Sequence, residues 1–155
     1  MSTQATGAEN VRWDLSELFS GLDDPKIDMV LKESRQQAER FVGQYRGKLG
    51  DLTPEALADA YNELEAISGP LYRLGMFVNL EYAVDTASDK VKALLGKIEQ
   101  SSSTTSNLLV FFSLELGNLS EGQFAKFEGA TALGDFEYKI AKMRKNAHYK
   151  LSEKE

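Results

Sequence analysis

Three long stretches of the sequence repeat apolar residues every three or four positions, and no other feature restricts the fold as strongly. This spacing places apolar side chains along one face of an α-helix. The first stretch begins at Asp24-Pro25, where aspartate suits the N-cap and proline suits the first helical position. It continues to Leu49 and is broken by Gly50-Asp51. The pattern predicts one long helix with a single apolar face.

The second stretch opens in the same way at Thr53-Pro54 and carries its apolar face to Tyr82. Gly69-Pro70 interrupts it, and a proline inside a helix removes one hydrogen bond and clashes with the preceding turn. We therefore expect a kinked helix over residues 54–85, with two separate helices as the alternative.

The third stretch predicts a helix over about residues 89–117, although it contains the polar run Ser101 to Ser106. Such a run is typical of a linker, but short side chains also suit a place where two helices lie close together. The apolar spacing continues through the run from Ile98 to Leu109. We therefore favour one uninterrupted helix.

Shorter helices are predicted on either side of these three. A turn of helix is expected at 14–20, with Asp14 as its cap and Trp13 packed on Leu18. Ser120 and Gln123 form a capping box for a helix that runs to about 128. Residues 129–134 are a predicted loop, and a last helix covers about 135–147. The fold class is thus all-α, an elongated antiparallel helical bundle of three long helices plus short ones.

Composition excludes several classes of function. The chain has no cysteine, so it forms no disulfide and no thiolate metal site. A formal net charge of -6 argues against binding to nucleic acid. The longest strongly apolar run, Leu108 to Phe112, is too short to span a bilayer. Residues 1–10 lack the basic start of a secretory signal and are predicted to be disordered. We therefore expect a cytoplasmic protein with no membrane partner.

Catalytic motifs are missing as well. A zinc site of the His-Glu-x-x-His type needs two histidines, and His148 is the only one in the chain. No serine lies in a Gly-x-Ser-x-Gly setting. The basic residues are expected to form a solvated helix face. They are Lys139, Lys142, Arg144, Lys145 and Lys150. We predict no catalytic residue and no metal site in this chain.

Aromatic residues are frequent on the second and third long helices, and core packing is their expected role. They are Tyr72, Phe77, Tyr82, Phe111 and Phe112. The alternative is that some of them line a groove for an extended peptide. Exposure of Tyr72 or Tyr82 would favour the groove, so these two residues are the predicted peptide contacts.

The last residues contain the start signal of a further helix. Ser152 and Glu155 have the capping-box spacing. We therefore expect the chain to be the N-terminal piece of a longer protein. The expected division is a disordered segment at 1–10, a helical domain at 11–150, and the start of a helix of an absent catalytic domain at 151–155.

Several motifs, taken in their order, resemble the N-terminal region of oligoendopeptidase F, a family of zinc metallopeptidases related to thimet oligopeptidase. The resemblance covers about residues 11 to 155. The motifs are Trp13-Asp14-Leu15-Ser16-Glu17-Leu18-Phe19, Tyr45-Arg46-Gly47-Lys48-Leu49, Leu71-Tyr72-Arg73-Leu74-Gly75, Asp85-Thr86, Phe112-Ser113-Leu114-Glu115-Leu116 and His148-Tyr149-Lys150-Leu151-Ser152-Glu153.

The resemblance implies a helical domain that walls one side of a deep channel. It places the zinc-binding helix in the missing part of the parent protein, so no catalytic residue is transferred to this chain and no cofactor is expected in it. It also implies that His148 and Ser152 belong to a hinge that leads to the catalytic part.

The expected function is that of a non-catalytic N-terminal domain of an oligopeptide-hydrolysing zinc metalloendopeptidase. Its partners are then the missing catalytic domain and an oligopeptide substrate, and self-association is expected where apolar surface stays uncovered. The alternative is an autonomous helical interaction module that binds a partner helix or peptide.

Overall fold

A computed structural model describes residues 14–146 of the chain, and within this range every regular element is helical. The three long helices and two short ones follow in chain order. They are α1 (Pro25–Tyr45), α2 (Pro54–Val84), α3 (Asp89–Gly117), α4 (Glu121–Phe124) and α5 (Phe136–Asn146). Short 3₁₀ turns lie at Leu49–Asp51 and Thr131–Leu133. The all-α bundle predicted from the sequence is confirmed.

Helix α1 begins as predicted and ends earlier than predicted. The Asp24 carboxylate accepts a hydrogen bond from the Lys26 N–H at 2.9 Å and caps the first turn. The helix ends at Tyr45, whereas the apolar spacing had extended it to Leu49. Gly47 takes a positive φ of 79°, a conformation that glycine adopts without the steric penalty of a side chain. The chain turns there, and Leu49 enters the core from the 3₁₀ turn.

Helix α2 is continuous through Gly69-Pro70, so the two-helix alternative is wrong. Proline leaves the carbonyl one turn earlier without its usual helical donor, which normally weakens a helix. The buried side chains of Ile67 and Leu71 lie on either side of this position. Their burial on both sides holds the backbone in one helix.

Helix α3 is also continuous, and the polar run inside it is not a linker. Two of its hydroxyl groups donate to carbonyl groups one turn earlier. Thr104 Oγ1 donates to the Gln100 carbonyl at 2.9 Å, and Thr105 Oγ1 donates to the Ser101 carbonyl at 3.0 Å. These side chains satisfy their polar atoms within the helix, as threonine commonly does.

The short elements differ in detail from the prediction. Residues 16–18 form a turn in place of the predicted helix, and the Asp14 carboxylate accepts from the Ser16 N–H. The capping box of Ser120 and Gln123 is present, but α4 ends at Phe124 and not at 128. The predicted loop contains a 3₁₀ turn with the buried Leu133. The predictions for Trp13, His148, Ser152 and the segments 1–10 and 151–155 lie outside the described residues.

The buried apolar residues form two clusters along the bundle. The first, which we call the five-helix end, draws residues from all five helices. Its members are Ala38, Phe41, Tyr45, Leu49, Leu57, Ala60, Tyr61, Ile67, Phe111, Phe112, Leu116, Leu119, Phe124, Phe127, Leu133 and Ile140. The second, the three-helix end, contains Phe19, Ile27, Leu31, Leu71, Leu74, Phe77, Val78, Val91 and Ile98. The start of α1 thus meets the end of α2 and the start of α3. Helices that follow one another in the chain are therefore antiparallel, and α1 and α3 run in the same direction.

The boundary between the two clusters falls at small or polar residues on every long helix. On α1 it is marked by the buried Ser34, and on α3 by the buried Thr105. On α2 it coincides with Gly69-Pro70, between Ile67 of one cluster and Leu71 of the other. No large buried apolar side chain of the described long helices occupies these positions.

Candidate functional site

A groove of about 570 Å³ runs between α2 and α3, from the three-helix end across the boundary of the two clusters to Ser68 and Leu109. We call it the α2–α3 groove. Its floor is formed by buried side chains, among them Leu71, Val78 and Ile98. Its rims carry exposed or half-buried residues. On α2 these are Ser68, Tyr72, Gly75, Met76 and Asn79, and on α3 they are Leu95, Glu99, Ser102, Ser106 and Leu109.

The groove is open because small residues line it where larger ones would close it. Gly75 lies on the α2 side, and a Cβ atom built there would meet no other atom within 4 Å. Ser102 and Ser106 lie on the α3 side, one turn apart. A glycine inside a helix costs about 0.5–1 kcal/mol relative to alanine. Neither close packing nor a positive φ requires glycine at position 75.

The two tyrosines predicted to contact a peptide have different positions. Tyr72 is 70 % exposed and stands on the rim of the α2–α3 groove. Tyr82 is half-buried and packs against the three-helix cluster, outside the groove. Phe77, Phe111 and Phe112 are buried, in agreement with the core role expected for most of the aromatic residues. The structure therefore brings only Tyr72 to a surface where a ligand can reach it.

The polar groups of the groove are suited to binding. Asn79 Nδ2 donates to the Gly75 carbonyl at 2.7 Å, which holds the amide side chain on the α2 rim. Of the described residues that line the groove, Glu99 alone is charged. Its exposed carboxylate has no hydrogen-bond or ion-pair partner among residues 14–146. The groove thus offers an apolar floor, a phenol ring, hydroxyl groups and one free carboxylate.

Two buried phenols lie at the five-helix end and take no part in the groove. Burial raises the pKa of Tyr61, whose hydroxyl has no hydrogen-bond partner within residues 14–146. The ring stacks on Phe136 with centroids 4.7 Å apart. Burial also raises the pKa of Tyr45, and the hydrogen bond from its hydroxyl to the Glu63 carboxylate adds to this effect. Both groups stay protonated at neutral pH and serve packing.

The predicted basic surface of α5 is only partly solvated. Lys139 forms an ion pair with Glu65, with Nζ and Oε1 2.8 Å apart. Arg144 donates to the carbonyl oxygens of Gly117 and Leu119 at the C-terminal end of α3. A cation at a helix C-terminus satisfies free carbonyl groups and interacts favourably with the helix dipole. Arg144 is therefore a structural cap, a role that the sequence analysis missed.

A carboxylate on α3 fixes the loop after α1, which the sequence analysis also missed. The two oxygens of Glu115 accept hydrogen bonds from the Gly47 N–H at 2.8 Å and the Leu49 N–H at 2.9 Å. These donors lie 68 and 66 positions away in sequence. No local pattern signals such a contact.

Comparisons with protein-family models, with curated proteins and with solved structures found no match for this chain. In the described part of the chain, no group of three or more histidine, aspartate or glutamate residues is placed to hold a metal ion. No helix between residues 14 and 146 combines the length and apolar character needed to cross a bilayer.

Proposed function

We propose that this chain is the non-catalytic helical N-terminal domain of an oligopeptide-hydrolysing zinc metalloendopeptidase, in which it walls the substrate channel. The observation that carries the proposal is the open α2–α3 groove with Tyr72 on its rim. The resemblance of the sequence to oligoendopeptidase F supports the choice of this parent enzyme.

The dimensions of the groove suit a single extended peptide. The lining residues of α3 extend from Leu95 to Leu109, about 21 Å at 1.5 Å per residue. An extended chain rises about 3.3 Å per residue, so about six residues fit along this length. An exposed aromatic ring such as that of Tyr72 offers a large contact area at a small cost in conformational entropy.

The chemistry of hydrolysis is assigned to the rest of the parent enzyme. The proposal accordingly expects zinc to be bound by the rest of the parent enzyme and not by this domain. The part of the chain that the structure describes then contributes substrate contacts and restricts access. A channel wall of this kind admits flexible peptides and turns away folded proteins. The proposal also places the protein in the cytoplasm, which fluorescence microscopy of a tagged full-length protein would check.

A first experiment tests whether the chain cleaves peptides. The chain is incubated with a fluorogenic peptide and Zn²⁺, with and without a chelator. We expect no cleavage in either case. Cleavage that the chelator abolishes would contradict the non-catalytic role.

A second experiment tests the groove itself. Gly75→Leu places a large side chain in the groove, at a position where an added Cβ atom meets no other atom within 4 Å. The matched control is Gly43→Leu, an exposed helical position on α1 where an added Cβ also meets nothing. The probe is the fluorescein-labelled octapeptide Gly-Ala-Leu-Lys-Phe-Ala-Gly-Ser, followed by anisotropy. We expect Gly75→Leu to weaken binding at least tenfold and Gly43→Leu to leave it unchanged. Equal binding by both variants would contradict the proposal.

A third experiment concerns the parent enzyme. Sequencing the natural transcript beyond the codon for Glu155 is expected to reveal an open frame that encodes His-Glu-x-x-His. A stop codon at that point would contradict the proposal and favour the alternative.

The alternative is an autonomous interaction module, and one observation favours it. Four exposed apolar residues follow one another along α2 at four-residue intervals. They are Tyr72, Met76, Leu80 and Val84. Such a row suits an amphipathic partner helix or a second copy of the chain. Light scattering measures self-association. A peptide that becomes helical on binding, detected by circular dichroism, would support this alternative over an extended substrate.

A further inference from the structure

We infer that the α2–α3 groove selects peptides that carry a lysine or arginine side chain, which pairs with Glu99. This inference rests on the proposed function, because it names the substrate class of the same groove. The evidence for it is which charged residues near the groove form ion pairs with one another and which one does not.

Among residues 14–146, Glu99 is the only charged residue that lines the groove, and its carboxylate has no ion-pair partner there. The lysines of the first half of α3 are all engaged elsewhere. Lys90 pairs with Asp23, and Lys97 Nζ lies 2.6 Å from Asp28 Oδ1 on α1. Lys92 Nζ donates to the Ala87 carbonyl at 3.2 Å and lies 3.8 Å from Asp89. None of these cations turns toward the groove.

The one basic residue of α2, Arg73, lies away from Glu99 as well. Arg73 follows Tyr72 in sequence but lines a different depression, between α1 and α2, together with Glu17 and Glu33. The acidic residue Glu65 is paired with Lys139 of α5. The groove therefore presents a single negative charge beside an apolar floor, and no cation of the described residues neutralises it.

A lysine or arginine side chain complements both the apolar surface of the groove and the negative charge of Glu99. Lysine and arginine bury a long aliphatic stem on apolar surface while the charged end stays in water. The half-buried Leu95 and the exposed Met76 provide such a surface, and Glu99 lies one turn from Leu95. A neutral side chain would make the apolar contact without the ion pair. An acidic side chain would place a second negative charge next to Glu99.

The size of the selection is bounded by the exposure of Glu99. Exposed ion pairs contribute about 0.2–1 kcal/mol, so we expect a preference of about two- to fivefold in Kd. A peptide with glutamate in place of lysine brings two like charges together, which widens the difference. Screening by salt reduces the preference, because the pair is open to solvent.

The experiment compares two labelled peptides on four forms of the chain. The peptides are Gly-Ala-Leu-Lys-Phe-Ala-Gly-Ser and the same sequence with glutamate in place of lysine, each with fluorescein on its N-terminus. The forms are the unaltered chain, Glu99→Lys, Glu33→Lys and Gly75→Leu. Glu33→Lys is the matched control, because it makes the same charge change in the other depression.

We expect the unaltered chain and Glu33→Lys to prefer the lysine peptide and Glu99→Lys to prefer the glutamate peptide. The inference is overturned if Glu99→Lys keeps the original preference, or if Glu33→Lys loses it. If the groove-filling Gly75→Leu still abolishes binding in that case, the proposed peptide groove stands without the selectivity. If neither peptide binds, or if Gly75→Leu binds both, the groove and its selectivity fail together.

Discussion

The five-helix end and the three-helix end of the bundle differ in how completely α2 is covered. At the five-helix end, α4, α5 and the loops around them add a further layer over the long helices. At the three-helix end, the segment around Phe19 is the only described part of the chain that joins α1, α2 and α3. Four exposed apolar residues of α2 lie there, from Tyr72 to Val84. The first half of α2 is thus covered on more sides, whereas its second half buries one face in the three-helix cluster and leaves another face exposed.

The two ends also differ in the kind of contact that closes them. The five-helix end is closed by directed contacts such as those of Glu115 and Arg144. The three-helix end has Lys90 and Lys97 in exposed ion pairs, which contribute little to stability. We therefore expect the five-helix end to contribute more to stability and the three-helix end to contribute more to binding.

The largest expected effect comes from removing a core aromatic side chain at each end. Phe112→Ala leaves a cavity where the ring meets Phe41 and Tyr61, with centroids 5.5 and 5.0 Å away. Phe77→Ala loses a contact with Phe19 at 5.1 Å. Such truncations cost about 3–5 kcal/mol, and we place Phe112 at the upper end. Urea denaturation measures both. A greater loss of unfolding free energy for Phe77→Ala than for Phe112→Ala would show that the three-helix end contributes more to stability.

The next effect concerns the loop after α1. Glu115→Ala leaves the N–H groups of Gly47 and Leu49 without their acceptor. Hydrogen bonds to charged groups contribute about 1.5–3 kcal/mol, so we expect a loss of about 2–3 kcal/mol in the free energy of unfolding. Glu99→Ala, on the same helix but without a partner, is the control and should change stability by less than about 0.5 kcal/mol. Similar values for both variants would show that Glu115 does not fix the loop.

Smaller changes in stability, of opposite sign, are expected when the two buried tyrosines of the five-helix end are replaced by phenylalanine. Tyr61→Phe removes a buried hydroxyl that has no partner, and we expect stabilisation by about 1 kcal/mol. Tyr45→Phe removes the hydroxyl that donates to Glu63 at 3.1 Å, and we expect destabilisation by about 1 kcal/mol. Thermal unfolding of the two variants checks the opposite signs. A destabilised Tyr61→Phe would mean that this hydroxyl has a partner.

The smallest effect is a pH dependence at the three-helix end. The Ser20 N–H, followed by the Lys26 N–H, lowers the pKa of the Asp24 carboxyl. The pKa of Asp24 in the folded chain therefore lies below its value of about 3.9 in the unfolded chain. The ionised carboxylate contributes its full share to the free energy of unfolding above about pH 3.9, and this share is lost as the pH falls through the folded pKa. Asp24→Asn keeps a good cap without the titration. We expect its urea midpoint to fall less between pH 5 and pH 3 than that of the unaltered chain. Equal slopes would exclude Asp24 as the source.

Local signals in the sequence predicted most of the helix boundaries. The predicted caps at Asp24, Thr53 and Ser120 all accept hydrogen bonds from the first turns of their helices. A cap and its helix start lie within a few residues of each other, so the information is present in a short window. The continuity of α3 was also predictable, because its apolar spacing continues through the polar run.

Contacts between distant parts of the chain explain what the sequence did not predict. The early end of α1 depends on Glu115, which lies on another helix. The cap that Arg144 provides for α3 spans 25 residues or more. The α2–α3 groove is a property of two helix faces together, so only its rim residue Tyr72 was predicted, and Glu99 was missed. A free carboxylate can be recognised only when the partners of the neighbouring lysines are known.

The small and polar residues at the boundary of the two clusters have a consequence for cooperativity. Ser34, Thr105 and Gly69-Pro70 leave that level of the bundle without large interlocking side chains. Regions that are weakly joined open to solvent as separate units in the native state. Backbone amides of α2 after Pro70 should therefore exchange with deuterium sooner than those before Gly69, although both belong to a single helix.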